Sequence, residues 1–182
     1  MNRVQARVGL FLMLLAWLIP LQPVFAQSRD ERAVRAAYVF NLIKFVEWPA
    51  GKDDLLVGFV GDAATGDVLG KMLDGKVSDS RVIRVLLNPP EDRLKDCSVV
   101  YIDDSATGEM HRALAALKGK STLTVGETDS FARVGGMIAL VKDGDRIQIE
   151  ANLDAAQSAG VKISSRLLSM ATLVQSARKE RN

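Results

Sequence analysis

Between residues 55 and 125 the chain repeats one alternation, a short apolar run followed by a segment of helical periodicity. Residues 55–60, 82–87, 98–102 and 122–125 are short runs rich in Val, Ile and Leu, and they read as strands. Amphipathic stretches over 65–73 and 109–117 fill two of the gaps between them. Strands separated by helices pair in parallel, because the connecting helix carries the chain back to the same end of the sheet. Asn88-Pro89-Pro90 ends the second run, since proline removes ladder donors. The pattern predicts an α/β fold: a single three-layer domain with a mostly parallel central sheet and flanking helices.

The last third changes style. Residues 137–141 and 146–151 flank Asp143-Gly144, a turn signal that predicts a C-terminal antiparallel hairpin. Along its second strand Ile147, Ile149 and Ala151 alternate with Gln148, Glu150 and Asn152, so the latter three are expected on a wet or partner-facing side. A short helix over 154–159 should stop at Gly160. A final helix is expected from Ile163, with Leu167, Met170, Ala171 and Val174 on its apolar face and Leu168 off that stripe. Near the other end, residues 35–48 form a nearly all-round apolar helix that Pro49 cuts off, and such a helix is normally buried. Phe40 and Trp48 fall among its polar residues, which makes them candidates for self-association.

The N-terminus reads as an export signal. Arg3 and Arg7 precede an apolar core over 8–19, Pro20 breaks that core, and Val24-Phe25-Ala26 suits cleavage before Gln27. The core is shorter than the roughly 20 residues that cross a bilayer. Residues 1–26 are therefore expected to be a cleaved signal peptide, and 27–182 one domain with an ordered core over about 30–176. The chain has 24 basic and 22 acidic residues, and the leader holds two of the basic ones. The remainder is balanced in charge, which argues against nucleic acid as a partner. Cys97 is the single cysteine. Without a second, no internal disulfide forms, and stability has to come from packing.

Catalytic parts are scarce. His111, the one histidine, sits in an amphipathic segment and reads as a surface residue. Neither a zinc site nor a Ser/His or Cys/His arrangement can be assembled, so no catalytic residue, metal or cofactor is expected. Gly58 and Gly61 lack the rest of a nucleotide-binding loop. Asp103-Asp104 stands at the carboxyl end of the third strand, where α/β sheets place ligands and acidic catalytic groups. It also stands just before a helix, where Asp is a routine N-cap, and the cap is the reading adopted. Two alternatives stay open, an exported enzyme using the pair and a small-ligand sensor at the strand ends near Gly61 and Asp103.

Two blocks of residues carry a family resemblance. The first is Ala36, Asn41, Lys44, Phe45, Glu47, Trp48 and Pro49; the second combines Gly135-Gly136-Met137-Ile138, residues 149–153, Ala155-Ala156 and residues 162–168. In these blocks the chain resembles the YfiR family of periplasmic proteins. The resemblance implies a non-enzymatic periplasmic repressor. It would bind the periplasmic domain of an inner-membrane diguanylate cyclase and lower cyclic-di-GMP and biofilm output, meeting the membrane only through that partner. It also implies a homodimer and a role for the C-terminal region in partner contact. The surface expected to bind comprises Glu150, Asn152, Lys162, Leu167 and Leu168. A periplasmic ligand sensor, or an adaptor for a sensor kinase, is the alternative. The best-known relatives carry paired cysteines that tie them to the periplasmic redox state; with Cys97 alone, that behaviour is not carried over.

Overall fold

The computed structural model of the chain describes residues 24–49 and 54–177, with side chains from residue 31 onward. The α/β domain is the second of two units, Met1–Asp30 and Glu31–Asn182. The expected leader lies outside the described residues except for Val24 to Ala26, which begin a helix.

Ten strands and six α-helices are described. The strands are β1 (Val46–Glu47), β2 (Asp54–Val60), β3 (Val77–Ser78), β4 (Arg81–Leu87), β5 (Val99–Ile102), β6 (Leu123–Gly126), β7 (Ile138–Asp143), β8 (Arg146–Ala151), β9 (Lys162–Ile163) and β10 (Thr172–Leu173). The helices are α1 (Val24–Ile43), α2 (Ala63–Leu73), α3 (Glu91–Leu94), α4 (Thr107–Ala116), α5 (Leu153–Ser158) and α6 (Ser165–Leu168). Eight strands form one sheet in the order β10-β8-β7-β6-β5-β2-β4-β3. The run from β4 to β7 is parallel throughout, and the antiparallel pairs are β7–β8 and β3–β4. The mostly parallel α/β fold expected from the alternation is the observed one.

Both faces of the central sheet are covered, which is why β2 and β5 are almost wholly apolar. Successive side chains point to opposite faces. Val57, Phe59, Val99, Tyr101, Leu123 and Val125 face α1 and α2, where Ala36, Val39, Leu42, Ile43, Leu69 and Leu73 complete one core. Val100, Ile102 and Ala139 face the other way, against Leu94 of α3, Met110 and Ala113 of α4, and Phe131. The Phe131 ring is clamped between two glycines, so that a Cβ would stand 2.2 Å from it at Gly126 and 2.1 Å at Gly136. The hairpin forms as expected, with Asp143 paired to Arg146 and Gly144 at φ 59°. Gly160, at φ 70°, follows α5 in the left-handed conformation that glycine tolerates best.

Two helices differ from expectation. Helix α1 ends at Ile43 instead of running to Trp48. Its last turn tightens through Lys44 and Phe45 N–H groups donating to the Asn41 and Leu42 carbonyls, each at 3.0 Å. The Trp48 indole then donates to the Ile43 carbonyl at 2.9 Å, and the freed residues Val46 and Glu47 pair with Ile163 and Lys162. Proline at 49 disfavours helical backbone at Trp48, so helical continuation was already weak there. The final helix is a single turn, α6, capped by the Ser164 side chain. The chain then extends, and Thr172–Leu173 adds a parallel strand to the edge of β8. Serines at 164, 165 and 169 compete with helical hydrogen bonding, and the open edge of β8 supplies the alternative.

Gly136→Ala drives a methyl group into a fully packed ring. Its expected cost is about 1–3 kcal/mol, read as a lower urea midpoint at unchanged m-value.

Candidate functional site

The order of the parallel strands changes direction between β2 and β5. From β2 the chain goes to β4 on one side, then crosses to β5 on the other, and such a switch point opens the crevice where doubly wound sheets bind ligands. Here side chains from neighbouring strand ends hydrogen-bond the loop after β2. Asn88, with φ 45°, lays its amide against the backbone of Gly61: Gly61 N–H donates to Asn88 Oδ1 at 2.9 Å, and Asn88 Nδ2 donates to the Gly61 carbonyl at 3.1 Å. Asp103 is 2% exposed and accepts from Asp62 N–H at 3.2 Å and Ser105 N–H at 3.0 Å. A Cβ at Gly61 would stand 2.2 Å from Asp103 Oδ1, so the carboxylate occupies the space a side chain would need.

Burial and hydrogen bonding move the two carboxyls in opposite directions. Burial raises the Asp103 carboxyl above its ordinary range despite the Ser105 hydrogen bonds, and nearby Asp62 adds to the rise. Burial opposes ionisation of Asp62 as well, but hydrogen bonds from Thr65 and Ala64 outweigh it and hold that carboxyl low. Asp62 caps α2 and Asp103 caps the 3-10 turn over Asp104–Ala106. The expected cap reading of Asp103 is therefore the observed one. Among the described residues no group of three or more His, Cys, Asp and Glu could hold a metal. His111 is exposed on α4 and Cys97 is buried.

A groove of about 580 Å³ lies elsewhere, between α1, the β7–β8 hairpin and α6. Tyr38, Phe45, Ile147 and Leu167 supply apolar wall, Met170 stands at 56% exposure, and Lys44 and Arg146 bring positive charge. Beyond it, Leu173 on the edge strand is 57% exposed. Met170, expected on the apolar face of a longer final helix, is exposed because that helix ends at Leu168, and Leu173 is exposed on the extended strand that follows.

Of the expected site residues, Leu167 lines this groove and the others lie outside it. Leu167 is 1% exposed, Leu168 is half-buried against the core, and Lys162 is exposed on β9 with its Nζ 3.5 Å from Glu47. Glu150 and Asn152 are not on a wet face. Glu150 is buried and pairs in two places with Arg133, at 3.0 and 3.1 Å. Asn152 is fully buried: its Nδ2 donates to the Ala132 carbonyl at 2.6 Å and to Ser176 Oγ at 2.8 Å, while Oδ1 accepts from Ala155 N–H at 2.9 Å. The covering element is the segment from β10 to residue 177, fixed by Val174 N–H on the Ala151 carbonyl and Ala177 N–H on the Arg133 carbonyl. Phe40 is half-buried beneath the Lys44 ammonium, 4.0 Å from the ring centre, and Trp48 is half-buried as the α1 cap.

A family model described as DUF4154, YfiR/HmsC-like, matches residues 32–172. Among solved structures, the chain is similar to a conserved domain protein from Vibrio cholerae O1 biovar El Tor. That match has a TM-score of 0.56 and 14% identity, covering 78% of this chain and 59% of that one. It is also similar to the ABC domain in complex with L-Trp from Streptococcus pneumoniae. There the TM-score is 0.54 and the identity 9%, covering 79% of this chain and 62% of that one. At such identities the likeness is one of fold. The chain spans about three fifths of the length of either structure.

Asn152→Ala removes the α5 cap and leaves the buried Ala132 carbonyl unpaired. A loss of about 2–3 kcal/mol is expected from chemical denaturation, against less than about 1 kcal/mol for Ser176→Ala at the exposed end of the same contact.

Proposed function

The chain belongs to the YfiR/HmsC-like family, periplasmic regulators of diguanylate cyclases, and from that premise we propose that it represses one. It binds the periplasmic domain of an inner-membrane cyclase and holds it in the inactive conformation, which lowers cyclic-di-GMP and with it biofilm and exopolysaccharide output. Only a difference in affinity between two states of the partner can do this. The observation that carries the reading is the family match over residues 32–172. Two features of the fold support it. The strand-end carboxylates Asp62 and Asp103 are engaged in capping, and exposed apolar surface lies at Met170 beside the groove and at Leu173 on the C-terminal edge, next to half-buried Leu168.

Lys162, Leu167 and Leu168 are the partner contacts of this reading. Leu167 acts from beneath, as the packed floor that sets Leu168 and Met170. Glu150 and Asn152 act indirectly, by holding the C-terminal segment in place over β8. Leu168→Asp should raise cyclic-di-GMP in cells while leaving circular dichroism and oligomeric state unchanged. Cyclic-di-GMP at the wild-type level, with a normally folded Leu168→Asp protein, overturns the assignment.

Self-association is proposed through the Phe40 and Trp48 side of α1. Phe40 is the better probe, since Trp48 also caps the helix. Phe40→Glu should shift sedimentation from dimer to monomer at micromolar concentration; an unshifted dimer removes Phe40 from the interface.

A small-ligand sensor is the second reading, and the groove is the observation that favours it. Apolar walls with a few polar groups at the rim are the usual make-up of such sites. A ligand there would raise the melting temperature by mass action.

A further inference from the structure

Helix α1 joins the core from Ala36 onward, through Ala36, Val39, Leu42 and Ile43. The turn before Ala36 has no such anchor, and Val34 is 47% exposed. Charge holds it instead. Arg35 Nη1 donates to Glu31 Oε1 at 2.6 Å, and Arg35 Nε lies 3.1 Å from Glu127 Oε2. Glu127 follows β6 at the carboxyl edge of the sheet, with its side chain 5% exposed. Its other oxygen accepts the hydroxyl of Tyr101, a fully buried residue of β5. Lys142, near the tip of the hairpin, reaches Glu31 Oε2 at 2.9 Å. A line of charges thus runs from the hairpin through α1 into the sheet.

Arg35 Nε is buried and close to Glu127, but its N–H is not aligned as a hydrogen-bond donor. The attraction is therefore Coulombic and depends on Glu127 being ionised. Once protonated, Glu127 can still hydrogen-bond Tyr101, but it no longer holds a cation. We propose that Arg35, Glu127 and Tyr101 form a proton-operated latch, closed when Glu127 is ionised, that fixes the Glu31 to Arg35 turn of α1 to the sheet edge.

The groups facing Glu127 place the transition near neutrality. Burial raises its carboxyl to about 7, against Tyr101 and Arg35, which lower it, while Asp104 and Asp103 beyond β5 raise it further. Glu31 moves oppositely: its hydrogen bonds from Lys142 and Arg35 hold it below the ordinary range. Glu31 stays charged as Glu127 titrates. Burial works against the charge of Arg35, but Glu127 and Glu31 keep it protonated.

The sign of the global effect is opposite to that of the local one. A carboxyl whose folded value lies above its unfolded value of about 4.5 contributes stability that is full below 4.5 and lost as the pH rises through about 7. Raising the pH therefore tightens the turn and lowers global stability through the same group. A merely structural ion pair would move both in one direction.

The test uses the full chain and two readouts. Carbon-13 shifts of the Glu127 carboxyl should titrate with a midpoint near 7. Amide-exchange protection of residues 31–35, corrected for intrinsic rates, should fall several-fold from pH 8 to pH 5.5, while core amides stay protected. E127Q should show the low value at both pH values and lose the associated slope of stability with pH. Should E127Q not fold, the wild-type titration decides alone. A carboxyl midpoint near 4.5, or wild-type protection that does not change with pH, overturns the latch. Neither readout involves a cyclase, so failure here leaves the repressor reading untouched.

Discussion

Two-sided burial of the sheet is the constraint on which the molecule depends. Strands β2 and β5 carry apolar side chains on both faces, and a parallel sheet so built has to be covered twice. Helices α1 and α2 cover one face, and α3, α4 and the loop carrying Phe131 cover the other. With a single cysteine, packing supplies the stability, and small residues mark where it is tightest. Gly126 and Gly136 admit the Phe131 ring, and Gly61 admits the Asp103 carboxylate.

The same close packing shapes the strand ends. The switch point between β2 and β5 is the place where folds of this connectivity usually open. Here Asn88 and Asp103 hydrogen-bond the loop after β2, and the carboxylates Asp62 and Asp103 serve as helix caps. At the far edge, α1, the hairpin and α6 leave an apolar groove beside an exposed edge strand. A surface of that kind suits recognition, as a family of regulators requires. The line of charges from Lys142 through Arg35 to Glu127 then joins the hairpin side of that groove to the strand ends.

Particular residues show how far the sequence could be read. Strands β2, β4, β5 and β6 and the hairpin were legible because their signals are local: continuous apolar runs, turn residues at Asp143-Gly144, and prolines after Asn88. The same holds for Asp103 as a cap. Glu150 and Asn152 misled because strand alternation says which face a residue occupies, never what covers that face. The cover is residues 172–177, which arrive from a segment whose own pattern reads as helix. Likewise the helical period through Trp48 overlooked that Val46 and Glu47 would find a partner in residues 162–163.

The sequence by itself determined the class of fold, the parallel core, the hairpin and the family, since each rests on short-range periodicity or on residues at fixed spacing. Only the tertiary structure decided how α1 ends, what becomes of the last helix, and which polar residues are buried. It also decided that Arg35, Tyr101 and Glu127, far apart in the chain, meet in one place. The physical reason is that edge pairing and charge burial depend on long-range partners, and local propensities as weak as those of a serine-rich turn yield to them.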